Sequence, residues 1–356
     1  MRLGIIGLPQ SGKTTLFNAL TRGTQPTGQA SGRMEVHTAV VDVPDPRVDR
    51  LSAMFVPKKT IYAKVTYADI AGLDASAAKS GIAGTLLNQL TQMDGFIHVL
   101  RAFDSENVPH PSGSVDPQRD LLAMDSEFIL NDMISIERRQ ERLSEELKKG
   151  GGRDKAIIQR EAALFERLHA TLSEEIPLRD IEISAEEERM LTGFGLLSRR
   201  PVLVVVNQSE GQKTPEMPYA HKRSQVVGLQ GELEMEISQL PADEAAVFLQ
   251  EYGIEEPSLN RMIRLSYDLL GLQSFFTVGP DEVRAWTVHR GATAPEAAGE
   301  IHTDLQKGFI RAEVTAYDDL VGLGGYPEAR AKGKLRLEGK EYIVQDGDVL
   351  NIRFNV

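Results

Sequence analysis

The sequence predicts an α/β protein: a mostly parallel sheet with helices on both faces, interrupted by an inserted antiparallel helical hairpin and followed by a small mixed-sheet unit. Three observations predict it. Short β-branched runs alternate with helical segments near the start and again after residue 200. A seven-residue apolar repeat occupies much of 118–176. From residue 275 onward, short strands surround one well-capped helix. At 356 residues the chain is long enough for two or three domains.

Taken in order, RLGIIG (2–7) reads as a buried strand, and TTLFNALTRG (14–23) as a helix with a glycine stop. Residues 24–39, rich in Gly, Thr, Ser and Gln, read as a loop. IYAKVTYADIAG (61–72) alternates with period two and reads as one strand. FIHVLRAF (96–103), PVLVVVN (201–207) and the weaker SQVVGL (224–229) are further strands. Leu122, Ile129, Met133, Ile136, Leu143 and Leu147 share a heptad seam with Gln140. The seam resumes after KKGGGRDK (148–155) at Ile158, Ala162, Phe165, Leu168 and Leu172, giving two helices joined at a glycine turn. In the last unit VRAWTV, FIRAEVTAY, KLRLEG, KEYIVQ and DVLNIRFNV read as strands and TAPEAAGEIHTDL as a helix. Thr293 and Glu296 stand at capping-box spacing there. A mixed sheet gripping one helix is a β-grasp layout. The expected domains are 1–117 with 200–274, the hairpin 118–199, and 275–356.

Composition narrows the class. There is no cysteine, so disulfides, zinc–thiolate sites and thiol nucleophiles are excluded and a reducing compartment fits. No run reaches the roughly 18 apolar residues of a membrane span, and the opening apolar run is too short for a signal peptide. A cytoplasmic protein without membrane partners is expected. The formal charge of −12 argues against an all-basic surface but not against a local nucleic-acid contact.

Gly7-Leu-Pro-Gln-Ser-Gly12-Lys13-Thr14 matches G-x-x-x-x-G-K-[ST], placed after a strand and before a helix as the motif requires. The glycines let backbone N–H groups wrap phosphates, and the loop residues Gly7, Pro9, Gln10, Ser11 and Gly12, with Thr15, are expected around a nucleotide. The helix N-terminus adds partial positive charge, Lys13 reaches the β- and γ-phosphates, and the Thr14 hydroxyl ligates Mg²⁺. Asp69-Ile-Ala-Gly72 fits D-x-x-G, with Asp69 on the Mg²⁺ side and the Gly72 N–H at the γ-phosphate. The next residue, Leu73, stands where Ras-like enzymes use a Gln to orient water, and its side chain cannot hydrogen-bond. Asn207-Gln208-Ser209-Glu210 caps a strand where a guanine reader has N-K-x-D. Glu210 carries its carboxylate one methylene further out than that Asp, and Gln208 replaces a Lys whose stem packs on the base.

Together these residues resemble the YchF/Obg-like ATPase family of P-loop proteins. VPDPRVDRL (43–51), DIAGL (69–73), the VDP at 115–117 and a tail similar to the family's TGS-type terminal domain carry the resemblance over nearly the whole chain. It implies a Ras-like P-loop domain, Mg²⁺ as cofactor, ATP bound as well as or better than GTP through N-x-x-E, and association with ribosomes. It also implies a role in hydrolysis for His110, and it makes Thr38 a candidate Mg²⁺ or γ-phosphate ligand. Gly228 and Leu229 are expected to offer backbone N–H groups to the base. The departures are Gln10-Ser11 where the family has Asn-Val, and GRMEVHTAVVDVPDPR in place of its first switch.

Lys148, Lys149, Arg153 and Lys155 at the hairpin tip make a local positive point suited to RNA phosphates, or a solubilising turn. Arg284, Trp286, Arg290 and Arg311 are further candidates for RNA contact, and no DNA specificity is expected. Three readings fit the sequence. One is a regulator that slowly hydrolyses ATP or GTP, one an adaptor that holds nucleotide with little turnover, and one a small-molecule kinase. The kinase would need an acceptor pocket and arginine lid that the motifs do not supply.

Overall fold

A computed structural model describes residues 1–23, 36–70, 82, 84–105, 108–149, 152–251, 254 and 256–355. They pack as two compact units, Met1–Ala39 with Thr66–Leu259, and Val40–Val65 with Asn260–Val356. The first unit is built on a sheet in which β1 (Arg2–Ile6) is flanked by β4 (Lys64–Asp69) and β5 (Gly95–Arg101), followed by β6 (Val202–Asn207) and β7 (Ser224–Leu229), with β2 (His37–Asp42) beyond β4. The β1–β4, β1–β5, β5–β6 and β6–β7 pairs are all parallel. Every residue of β5 and β6 is buried, as strands in a parallel sheet covered on both faces should be, and the polar exceptions to their apolar runs are His98, Arg101 and Asn207.

The helical hairpin is formed by Pro117–Lys149 and Lys155–Ser173. Its distal half follows the heptad: Ile129, Ile136 and Leu143 bury against Ile158, Leu164, Phe165, Leu168 and Leu172. The seam does not extend back to Leu122, which is 50% exposed. Leu121, Met124 and Phe128 are buried there instead, within the apolar cluster of the sheet. The first turns of the long helix serve the sheet and the later ones serve the hairpin, so the buried face changes along it. At the tip, Arg153 is paired with Glu146 and Glu161, and Lys149 with Glu145, so half of the expected basic point is neutralised internally.

Asp132 anchors this helix. Its carboxylate accepts the N–H groups of Leu197 and Ser198 at 2.8 Å each and the Ser198 hydroxyl at 2.7 Å. Burial pushes the carboxyl up to about 6 from an ordinary 3.8, although these donors pull it down. A folded pKa above the unfolded one means that the folded state holds the proton more tightly. The contribution to stability is therefore full below about pH 4 and is lost as pH rises through 6, by about 3 kcal/mol. Urea unfolding at pH 4 and pH 7 is expected to show wild type losing that amount relative to Asp132→Asn. An identical pH dependence in the two proteins would refute the assignment.

The second unit carries a mixed sheet ordered β11 (Arg336–Glu338), β10 (Phe309–Ala316), β12 (Asp348–Phe354), β8 (Leu272–Val278), β9 (Glu282–His289) and β3 (Lys59–Ile61). Helix Ala294–Ile301 packs on it, and the Thr293 N–H donates to Glu296 at 2.7 Å as the capping box predicts. Several expectations are corrected. The stretch 61–72 is not one strand: β3 joins β9, whereas β4 joins β1, and the chain turns between them where the Val43 N–H bonds the Ala63 carbonyl at 2.8 Å. KEYIVQ contributes only an isolated Thr293–Ile343 bridge. The helix expected over TAPEAAGEIHTDL breaks at His302, whose extended backbone and Nδ1 cap a second short helix, Thr303–Lys307. Domain boundaries also differ from the expected ones, because 40–65 and 260–274 pack with the C-terminal residues. Arg47 shows why for 40–65: its guanidinium bonds Asp45 and Asp346 together and lies over the Phe276 ring. Among the described residues no helix is long and apolar enough to cross a membrane.

Candidate functional site

The loop between β1 and helix α1 (Lys13–Thr21) takes the shape that its glycines predict. Gly7 and Gly12 have φ of +145° and +98°, and a Cβ on them would lie 2.4 Å from the Val99 carbonyl oxygen and 2.1 Å from Asn207 Nδ2. Gln10 adopts φ +63°, an uncommon conformation outside glycine. Lys13, 7% exposed, donates from Nζ to the Leu8 carbonyl at 2.7 Å. On the first turn of α1 the Thr14 hydroxyl donates to Asp69 Oδ2 at 3.0 Å, bringing together two residues 55 positions apart.

Asp69 sits at the buried end of β4. Burial raises its carboxyl above the ordinary range, opposed by the Thr14 hydrogen bond and by the charges of Lys13 and His37. Thr14 and Asp69 offer hard oxygens at one point, a donor set that suits Mg²⁺ and does not suit a soft metal. Among the described residues there is no cluster of three or more acidic, His or Cys side chains, so an ion here would complete its shell from phosphate and water. His37 was not singled out by sequence. Successive residues of a strand point to opposite faces, and β2 alternates in burial. The charge of His37 acts on Asp69, whereas Thr38 lies on the exposed face. Gly72 and Leu73 lie outside the described residues, as do residues 24–35 of the loop read over 24–39.

Asn207 ends β6 and works in two directions. Its Nδ2 donates to the Ser11 carbonyl at 3.0 Å, and its Oδ1 accepts the Gly231 N–H at 3.0 Å. It thus ties the phosphate loop to the start of helix Gly231–Gln239. The turn after it is closed by Gln212, which receives the Ser209 N–H and donates to the Ala102 carbonyl at 2.8 Å. Beside Asn207 opens a cavity of about 430 Å³. Gly12, Thr15 and Asn207 line it, as do Gln208, Ser209 and Glu210, the helix residues Glu232, Leu233 and Glu236, and Phe103.

Gly228 and Leu229 do not line the cavity: they remain in β7, in register with Val206 and Asn207, and the Leu229 carbonyl accepts the Gln208 N–H. The residues that do line it begin one position later, at Gln230, because the helix starts at Gly231. The apolar run in the sequence extends through Phe103, whereas β5 stops at Arg101, so Phe103 belongs to the segment beyond the strand and lines the cavity. His110 is brought to the base of the long hairpin helix. Its Nδ1 accepts the Ser112 N–H at 3.1 Å, so Nε2 carries the proton toward Asp120 Oδ2 at 3.0 Å. In this structure both ring nitrogens serve the packing of that loop.

A family model described as 50S ribosome-binding GTPase matches residues 2–138, and the YchF-GTPase C-terminal model, described as a protein of unknown function, matches 272–355. The chain is 40% identical to the ribosome-binding ATPase YchF of Bacillus subtilis (strain 168), over 99% of both proteins. It is 35% identical to Obg-like ATPase 1 of Oryza sativa subsp. japonica, over all of this chain and 92% of that one. The solved structure of the Schizosaccharomyces pombe YchF GTPase aligns over 99% of this chain and 97% of that one, with TM-score 0.82 and 29% identity. With relatives of that identity along its whole length, the chain belongs to the YchF family.

Proposed function

We propose that this protein is a cytoplasmic, ribosome-associated regulator that binds a nucleoside triphosphate with Mg²⁺ and hydrolyses it slowly, ATP in preference to GTP. The observation that carries the reading is the Thr14–Asp69 hydrogen bond beside a phosphate loop of the right backbone shape. Thr14 would hold the ion directly and Asp69 through water, with the wrapped N–H groups and Lys13 on the phosphates. Bound there, Mg²⁺ supplies charge neutralisation at the phosphates. Hydrolysis is in-line attack of water on the γ-phosphate, and Leu73 offers that water no hydrogen bond. Slow turnover follows. The preference for ATP rests on Glu210 at an exposed turn, one methylene longer than the guanine-reading Asp. Ribosome association rests on the named functions of the relatives.

The second reading, an adaptor that holds nucleotide with little turnover, draws on His110, whose ring is engaged with Asp120 and Ser112. Multiple-turnover phosphate release with and without ribosomes separates the two, with slow release above the protein-free rate expected. Competition against labelled ATP is expected to show ATP displacing at or below the concentration of GTP required. A tenfold preference for GTP, about 1.4 kcal/mol, would refute the base assignment.

A further inference from the structure

Arg101 is a buried cation that, among the described residues, pairs with no carboxylate. It closes β5 in register with Asn207 and is 2% exposed. Its Nε donates to the Phe103 carbonyl at 3.0 Å and its Nη2 to the Val108 carbonyl at 2.7 Å. The guanidinium carbon lies 4.7 Å from the centre of the Phe103 ring, and Nη1 is buried with no hydrogen-bond partner among the described residues. Taking a guanidinium out of water costs free energy that two neutral carbonyls and a ring face offset only in part. An apolar side chain at the end of this strand would avoid that cost. What the guanidinium supplies instead is the form of the segment it holds.

That segment is a wall of the cavity. Phe103, Asp104 and Ser105 line it, and the Val108 N–H turns back to the Ser105 carbonyl at 3.4 Å. Among the described residues, Phe103 is the one aromatic side chain lining the cavity. A planar base gains most from a flat apolar wall held in a fixed plane, and the gain grows with the area of the ring system that stacks. Arg101 fixes the backbone of Phe103 with one arm of its fork and the ring with its own face. A lysine has neither the second arm nor the planar surface.

We propose that Arg101 is a positioning residue for the base: it locks Phe103 as a stacking wall and so makes the cavity selective for purine over pyrimidine nucleotides. The inference rests on the nucleotide reading given above. The test is calorimetric binding of ATP, CTP and inorganic tripolyphosphate, each with Mg²⁺, to the full-length wild type, Arg101→Met, Arg101→Lys and Phe103→Ala.

Arg101→Met is expected to weaken ATP about tenfold, leave tripolyphosphate within twofold, and bring the ATP/CTP ratio close to one. Arg101→Lys, which keeps the charge and protects against a simple loss of folding, should lose most of the same ratio. In the Phe103→Ala background, Arg101→Met should add little further loss. An unchanged ATP/CTP ratio in Arg101→Lys or Arg101→Met would overturn the proposal. So would an equal loss for ATP and tripolyphosphate, which assigns Arg101 to general stability. Wild type binding neither ATP nor tripolyphosphate would instead overturn the nucleotide reading, and is told apart by the wild-type titrations alone.

Discussion

Lys13→Ala is expected to weaken Mg–ATP binding by two to four orders of magnitude, about 3–5 kcal/mol, and to remove phosphate release with it. The Lys13 ammonium is held in the phosphate loop by the Leu8 carbonyl at 2.7 Å. A neutral carbonyl is a weak partner for it, and two phosphate oxygens are strong ones. Charge-assisted hydrogen bonds contribute about 1.5–3 kcal/mol each, and a bridging ammonium makes two of them. The fold should survive, since the half-buried Leu8 carbonyl can turn to water. Titration calorimetry with unchanged thermal unfolding is the measurement. A variant that keeps ATP affinity within threefold would place the triphosphate elsewhere.

Gly12→Ala is expected to abolish nucleotide binding and also to destabilise the protein by about 2–5 kcal/mol. Two effects add. A Cβ at positive φ strains the backbone by about 1–2 kcal/mol. The same Cβ would stand 2.1 Å from Asn207 Nδ2, so Asn207 must move and release the Ser11 carbonyl and the Gly231 N–H. Buried groups left unpaired cost about 1–3 kcal/mol. The second part can be isolated. In an Asn207→Ala background, which removes the atom in the way, Gly12→Ala should destabilise by less than it does alone. Strict additivity in thermal or urea unfolding would show that the two residues do not compete for the space.

The phosphate side of the site was legible in sequence because its chemistry is local. Gly7, Gly12, Lys13 and Thr14 lie in one turn, and their spacing alone dictates how the chain must bend around a phosphate. Asp69 was legible for a different reason: an Asp that merely ends a strand says little, but one that opens D-x-x-G on a strand neighbouring the phosphate loop is brought to Thr14. The base side was harder. Whether Gly228 or Gln230 meets a base depends on where β7 ends and the next helix begins, and a shift of one residue exchanges a ladder position for a cavity wall. Phe103 and Arg101 were hidden by the same uncertainty at the end of β5. The two-unit packing was the least legible, because β3 pairs with β9 across more than 200 positions of sequence. No local pattern announces such a partner. The capping box at Thr293, by contrast, needs only three residues and was read as found.

The double duty of Asn207 has a consequence for how such a site can change over generations of sequence drift. One half of the base-side motif is a structural rivet: Asn207 is 5% exposed and joins the phosphate loop to the next helix, so its replacement would be selected against whatever nucleotide is bound. The other half, Gln208 to Glu210, lies on a turn whose last two residues are exposed, where substitutions usually change stability by less than about 0.5 kcal/mol. On the proposed nucleotide reading, preference for one base can therefore be exchanged for another at that turn while the grip on phosphate stays intact. The architecture leaves nucleotide choice as an adjustable character on a fixed frame.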